Sequence, residues 1–310
     1  MFEQETINLY KKLHEEAKNN FGDWSHSPVE GWKVDYFRKE FNEKNLINFK
    51  RSPLCEGTIN PPDRPIRKGE KGLTEPWFKG IPLWQKIKGL KSIILSLIIL
   101  SKNFKLDFFE LSDESIGNPC YYGFGKTKIT DLSIRMFFYQ KYIEKEIKSA
   151  NSALEIGSGF GALCAKLMQS ESLGIKNYFL VDLPENLALA FYYLKNKGFN
   201  VEVFGKDKKQ QNSPEKTIYI VAPWLLKDFS FPVDLFINTM SFQHMTEKNI
   251  NYYFSEIERL KIKKLFLVNR ENKRDSTDVR FSDYPIPAGY KLVKQDNYPF
   301  SKHLIKIFSQ

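Results

Sequence analysis

Residues 153–161 read Ala153-Leu154-Glu155-Ile156-Gly157-Ser158-Gly159-Phe160-Gly161, and the fold follows from how that stretch is punctuated. An apolar strand pattern runs into three glycines at alternate positions, and a helical pattern opens at once over 162–168. Gly157 permits a tight turn out of the strand. Gly159 and Gly161 let a ligand come up to the backbone with no Cβ in the way. The helix beginning there offers N–H groups and a positive dipole end, which suit an anion. Glycine turns also follow strands in α/β proteins that bind nothing, so the motif takes its meaning from its surroundings.

Outward from it, short apolar segments alternate with amphipathic helical ones. Strands are expected at 153–156, 178–181, 218–221, 234–237 and 265–268, and as a pair near 291–294 and 304–308. A helix over 131–147 sets Leu132, Met136, Tyr139, Ile143 and Ile147 on one face. Such alternation predicts a parallel sheet covered on both faces. The last two strands have only a loop between them and are expected to form an antiparallel hairpin. The fold class is therefore α/β: a Rossmann-like doubly wound sheet of about seven strands with a terminal antiparallel hairpin, plus a mainly helical N-terminal extension. The extension is placed at 1–110, as a lid or oligomerisation element, and the catalytic domain at 111–310. Within the extension, 1–50 reads as helical. The six prolines of 51–82 mark a loop-rich connection, and 112–125 reads as irregular.

Composition bounds the function classes. The chain has 310 residues, 42% hydrophobic and 27% charged, which describes a globular protein and excludes a disordered or collagen-like one. Cys55, Cys120 and Cys164 are odd in number and widely spaced, so no disulfide framework or zinc site is readable. The four histidines lack metal-ligand spacing, and a reducing cytoplasmic setting is expected. A net charge of +10 would attract nucleic acid, anionic lipid or phosphorylated small molecules. The basic residues are scattered lysines, however, as on a solvated surface, and no nucleic acid partner is expected. The opening residues lack the pattern of a targeting segment. The apolar run 93–100, flanked by Lys91 and Lys102, is much shorter than the roughly 20 residues of a spanning helix. It is read as a buried helix rather than a membrane-surface anchor, because it has no polar face.

The spacing of the glycine motif admits two ligands. Read as GxGxxA through Ala162, it is a dinucleotide fingerprint. Read as E-x-G-x-G-x-G, it resembles motif I of class I S-adenosylmethionine-dependent methyltransferases, with Glu155 as the acidic residue. Asp182 ends the next strand, where a carboxylate accepts both hydroxyls of a ribose in either family. Glu155, the mid-chain position of the motif and the closing hairpin favour the methyltransferase reading. The resemblance implies S-adenosylmethionine as cofactor and S-adenosylhomocysteine as product. The cofactor contacts are then Glu155, Gly157, Ser158, Gly159, Gly161, Asp182, Leu183, Pro223 and Asn238. Pro223 and Trp224 are candidates for the adenine pocket, with core packing the preferred role for Trp224.

The acceptor-facing segment in this fold follows the fourth strand, here Asn238-Thr-Met-Ser-Phe-Gln-His-Met245. It lacks the N/D-P-P-Y/F tetrapeptide of enzymes that methylate amino groups of nucleic acid bases. Ser115-Ile-Gly-Asn-Pro119, Val181-Asp-Leu-Pro-Glu-Asn-Leu187 with Tyr192-Tyr193, and Asn238-Thr-Met-Ser-Phe-Gln243 together resemble the sugar O-methyltransferases of bacterial surface-glycan clusters. That likeness covers roughly residues 110–270. It implies a methyl ether placed on a sugar hydroxyl, before or after the sugar joins a polymer, with the sugar nucleotide- or lipid-linked. An acidic residue often stands in that family where His244 stands here.

A sugar hydroxyl must lose its proton during attack, and an imidazole with an ordinary pKa of about 6.5 suits that task. His244 is the candidate general base; the alternative is a histidine capping a helix over 246–260 or hydrogen-bonded in the core. Glu114, Asn118, Tyr121, Tyr122, Ser241, Gln243, Asn269 and Arg270 are the candidate substrate contacts. Arg270 would fork onto a phosphate or carboxylate, or else pair with Glu271. No metal is expected, since hard-oxygen ligands near the site reduce to Glu271, with Asp275, Asp278 and Asp283 spread over a loop. A homo-oligomer is compatible with the sequence. The competing functional readings are an RNA methyltransferase and a non-catalytic or NAD-binding Rossmann module.

Overall fold

The computed structural model describes residues 2–20, 41–51, 83–113, 115–119, 121–205, 215–272 and 279–310. Most of the proline-rich stretch 51–82, together with Cys55, Glu114, Cys120, Asp275 and Asp278, lies outside the described residues.

In chain order the elements are α1 (Glu3–Asn20), α2 (Glu43–Ile47), α3 (Leu83–Asn103), α4 (Phe108–Leu111), β1 (Tyr122–Phe124), β2 (Thr127–Ile129), α5 (Asp131–Ile147), β3 (Ser152–Ile156), α6 (Ala162–Gln169), β4 (Asn177–Val181), α7 (Pro184–Asn196), β5 (Asn200–Val203), β6 (Thr217–Val221), β7 (Leu235–Thr239), α8 (Glu247–Arg259), β8 (Lys264–Asn269), β9 (Lys291–Asn297) and β10 (Leu304–Ser309). The chain divides into two compact units. One holds the described residues between 36 and 142; the other holds those between 4 and 35 and from 143 onward.

The larger unit is built on an eight-stranded sheet ordered β5-β6-β4-β3-β7-β8-β10-β9. Strands β5 to β8 run parallel, β10 pairs antiparallel with β8, and β9 pairs antiparallel with β10. Every residue of β3 and β6 is buried, as expected of strands covered on both faces; β6 reads in the sequence as a continuous apolar run over 218–221, while β3 is interrupted by Glu155. The doubly wound sheet and the terminal antiparallel hairpin match the sequence-based expectation. The extra strand is β5, Asn-Val-Glu-Val, with one buried residue. It is only four residues long and lies on the sheet edge, so it leaves almost no apolar signature. At β9, the other edge, Leu292 and Val293 are exposed between Lys291 and Lys294, and the pairing shifts register at Ile307/Phe308. Charge and a bulge of this kind make an edge a poor template for further strands.

The strand order reverses at β3, which has β4 on one side and β7 on the other. Ligands of open α/β sheets bind outside the carboxyl ends of the strands at such a switch point. The glycine motif emerges from β3 there.

In the smaller unit, β1 and β2 form a two-stranded hairpin whose first strand lies inside the stretch expected to be irregular and whose second follows it. Lys50 and Asp113 make a buried ion pair at 2.5 Å, and Thr130 donates to the other Asp113 oxygen. Helix α3 differs from expectation. The apolar run 93–100 forms only its second half, and among the described side chains burial is confined to one side, at Gly89, Ile93 and Leu100. Trp84, Ile87, Ile94, Leu95 and Ile98 are exposed. The reading as a buried helix is corrected accordingly. Among the described residues no helix is long and apolar enough to cross a membrane.

Candidate functional site

The turn between β3 and α6 places Gly157, Gly159 and Gly161 all in the left-handed region, at φ of 75°, 57° and 78°. A residue with a Cβ adopts that conformation at a cost of roughly 1–2 kcal/mol. Two of the positions differ in what surrounds them. A Cβ on Gly157 would collide with the Oγ and Cβ of Ser241, so the segment after β7 closes directly on the loop. A Cβ on Gly159 would meet nothing within 4 Å. The loop is therefore packed against protein at its first glycine and open at its second.

That contrast yields a prediction. Gly157→Ala should lower stability by about 2–4 kcal/mol in urea denaturation, combining backbone strain with overpacking. Adding Ser241→Gly should recover only the packing share. A loss below about 0.5 kcal/mol for the single variant would contradict the contact.

Asp182, at the end of β4, ties the loop to the neighbouring strand. Its Oδ2 accepts from the Gly159 N–H at 2.6 Å, while its Oδ1 accepts from the Leu183 N–H at 2.7 Å and the Asn186 amide at 2.8 Å. The Ser158 hydroxyl, more than nine-tenths buried in the same loop, has no hydrogen-bond partner. A buried hydroxyl left unsatisfied is uncommon in a native fold and asks for a ligand or a water. Gly161 opens α6 as its N-cap and provides no side-chain cap, so the first-turn N–H groups remain for another acceptor.

Glu155 lies beneath this loop, 1% exposed, and accepts from the Tyr178 hydroxyl at 2.8 Å. Burial raises its pKa from 4.5 to about 8; the Tyr178 hydrogen bond works the other way, and the nearby Asp182 charge raises it further. Burial and the Glu155 charge push the Tyr178 phenol and the Cys164 thiol up as well.

Asn238, fully buried, joins three strands. It donates to the Ile156 carbonyl at 2.9 Å, and its Oδ1 accepts from the Phe242 N–H and the Asn269 amide. Asn269 is equally buried, and its Oδ1 accepts from the Gln243 N–H at 3.3 Å. This expected substrate contact thus spends its hydrogen bonds inside the protein, shaping the rim of the site instead of facing it.

Gln243 is the hub of the acceptor-side segment. Its Oε1 accepts from both the backbone N–H and the Nε of Arg270 at 3.1 Å, and its backbone carbonyl accepts from the Arg270 Nη2 at 3.3 Å. Arg270 is held by Gln243, and Glu271 lies 3.7 Å from Lys306 rather than on Arg270. Because Arg270 only donates, the Gln243 oxygen must face it and the amide NH2 must face His244, whose Nε2 is 3.2 Å away. An amide N–H needs an acceptor, so this arrangement selects the neutral imidazole tautomer with its lone pair on Nε2. His244 does not cap α8. Thr246 takes that role, with its Oγ1 accepting from the Asn249 N–H.

Two further expected contacts sit after strands of this unit. Leu183 precedes α7, and Pro223 opens a 3-10 turn, Pro223–Asp228, whose first four residues, Trp224 among them, are buried. The structure thus gathers Glu155, the glycine loop, Asp182, Leu183, Asn238, Ser241, Gln243, His244, Asn269 and Arg270 at or beside the carboxyl ends of β3, β4, β7 and β8. Asn118, Tyr121 and Tyr122 belong to the other unit. There Asn118, at φ 51°, donates to the Asn48 side chain within a turn, Tyr122 sits in β1, and Tyr121 has the Lys128 ammonium 5.2 Å from its ring. Two residues escaped sequence reasoning. Asn186 had a signal, four residues after Asp182 on the following helix. Tyr178 had none, since its partner lies on the adjacent strand. Among the described residues no group of three or more histidine, cysteine or acidic side chains is arranged to hold a metal ion.

The chain matches no protein-family model and no curated sequence. Solved structures match over part of it. The small RNA methyltransferase HEN1 gives a TM-score of 0.44 at 17% identity, over 62% of this chain and 27% of that one. The mitomycin 7-O-methyltransferase MmcR gives 0.40 at 12%, over 57% and 54%. An rRNA methylase from Escherichia coli gives 0.40 at 10%, over 58% and 64%. Likeness at this distance carries no argument about substrate or chemistry.

Proposed function

We propose that the protein is an S-adenosylmethionine-dependent methyltransferase acting on a hydroxyl of a nucleotide- or lipid-linked sugar destined for a bacterial surface glycan. The observation that carries the cofactor reading is the loop around Gly159. Open space over Gly159, the buried unpartnered Ser158 hydroxyl and the Asp182 carboxylate beside it fit a ligand with an anionic end and a ribose diol. Ser158 and the first turn of α6 would hold the carboxylate end, Asp182 the ribose, and Leu183 and Pro223 the base. When bound, the cofactor supplies an already activated methyl group.

The protein then has to orient the acceptor, keep water out and take one proton. His244 is the proposed base, and Gln243 keeps its lone pair on Nε2. An acceptor hydroxyl that displaces the Gln243 amide donates to that same nitrogen, and His244 Nε2 receives its proton as attack proceeds. Ser241, Gln243 and Arg270 would contact the sugar or its phosphate. The resemblance in the sequence motifs is the support for a sugar acceptor.

The test has two stages. Thermal melts with S-adenosylhomocysteine, S-adenosylmethionine and NAD in parallel should show stabilisation by the two sulfur ligands alone, about 2.7 kcal/mol at a hundredfold excess over Kd. Stabilisation by NAD only would overturn the cofactor. Methyl transfer from labelled cofactor to nucleotide sugars should then drop by about 10²–10⁴ in His244→Gln with cofactor binding retained. Transfer to RNA but to no sugar would replace the acceptor reading.

A further inference from the structure

The exposed face of α3 is continuous. Trp84, Ile87, Ile94, Leu95 and Ile98 follow one another at three, seven, one and three residues and so, at about 100° per residue, share one side of the helix, opposite the buried Gly89, Ile93 and Leu100. Lys88, Lys91 and Lys102 fall on the same side and are exposed too. From Trp84 to Lys102 the stripe is about 27 Å long at the helical rise of ~1.5 Å per residue. The sequence around it carries one sign of charge: between Glu75 and Asp107 there are six lysines and no acidic residue. Just beyond α3, Phe109 is 90% exposed.

We infer that α3 is a membrane-surface helix which lays its apolar stripe into the headgroup region of a bilayer rich in anionic phospholipid. Three features select that occupant. The helix cannot span a bilayer, yet its apolar face is unusually large for one left in water. The lysines stand along the stripe, where their alkyl stems lie on the apolar surface and their ammonium groups reach phosphates at the same depth. Trp84 at one end has the amphipathic ring favoured at the membrane–water boundary. A second copy of the chain fits less well, because a self-paired face would bring lysines against lysines. The inference does not depend on the proposed methyl transfer.

Vesicle co-sedimentation of the full chain tests it. With phosphatidylcholine vesicles containing 30% phosphatidylglycerol, the protein should bind at least tenfold more tightly than with phosphatidylcholine alone, since each surface lysine contributes about fivefold. Raising salt to 0.5 M should remove most of that difference. Leu95→Glu/Ile98→Glu should reduce binding more than tenfold, and Lys88→Gln/Lys91→Gln should abolish the preference for phosphatidylglycerol. Circular dichroism melts verify that each variant is folded, and the lysine pair serves should the glutamate pair fail to fold. Equal binding to both vesicles, or binding to neither, overturns the inference. So does a wild-type dimer that Leu95→Glu/Ile98→Glu turns into a monomer with vesicle binding unchanged.

Discussion

Asp182→Ala should weaken binding of S-adenosylhomocysteine by at least about a hundredfold in titration calorimetry, and the protein should remain folded. The carboxylate accepts from Gly159, Leu183 and Asn186, so it fixes the loop that the ligand must approach and is also the proposed partner of the ribose. Hydrogen bonds to a charged group contribute about 1.5–3 kcal/mol each, and losing two at the ligand accounts for the hundredfold. The stability loss should be smaller, about 1–2 kcal/mol, because the group is partly exposed and water can replace it. Asp182→Asn is the sharper probe. Its shape is kept, but one of its ends becomes a donor facing a backbone N–H. Affinity within threefold of wild type for the alanine variant would remove Asp182 from the site.

Glu155→Gln should make the protein more stable than wild type above pH 8 and leave the two equal only below about pH 4. The sign follows from the raised pKa. The folded state holds a proton on Glu155 that the unfolded chain gives up near pH 4.5, so folding is favoured at low pH and loses ground as pH rises from about 4.5 to about 8. At ~1.36 kcal/mol per pKa unit, the upper limit of the loss is about 5 kcal/mol. A glutamine has the shape of the protonated acid, can still accept from Tyr178, and does not titrate. Urea denaturation from pH 5 to 9 should show a falling curve for wild type and a flatter one for the variant. Parallel curves would show that Glu155 is charged throughout.

How much of this was legible in the sequence depends on how local each signal is. The turn at Gly157–Gly161 was readable because strand, glycines and helix adjoin one another. Asp182 was readable for the same reason, as the last residue of an apolar strand. Strand β5 was missed because its partner β6 begins fourteen residues after it ends, and an edge position asks for little apolar content. Arg270 was correctly placed after a strand and Asn269 proves to be that strand's last residue, but their side-chain directions are set by Gln243 and Asn238, more than twenty-five residues away. The exposure of α3 was illegible for a related reason. An apolar run looks alike whether a neighbouring element covers it or not.

The order of the last strands bears on how the chain is made. Among the described residues strand β9 pairs only with β10, which follows it in the sequence and lies between β9 and β8. During synthesis, residues 291–297 therefore leave the ribosome before the strand they pair with exists. Meanwhile β8, with Leu265 to Val268 fully buried in the finished protein, has an open edge. The sheet can close on that side only when 304–309 slots in between, which makes this hexapeptide the keystone of the half-built chain. A nascent chain stalled before Leu304 would present two uncompleted strand edges, and such edges recruit other chains.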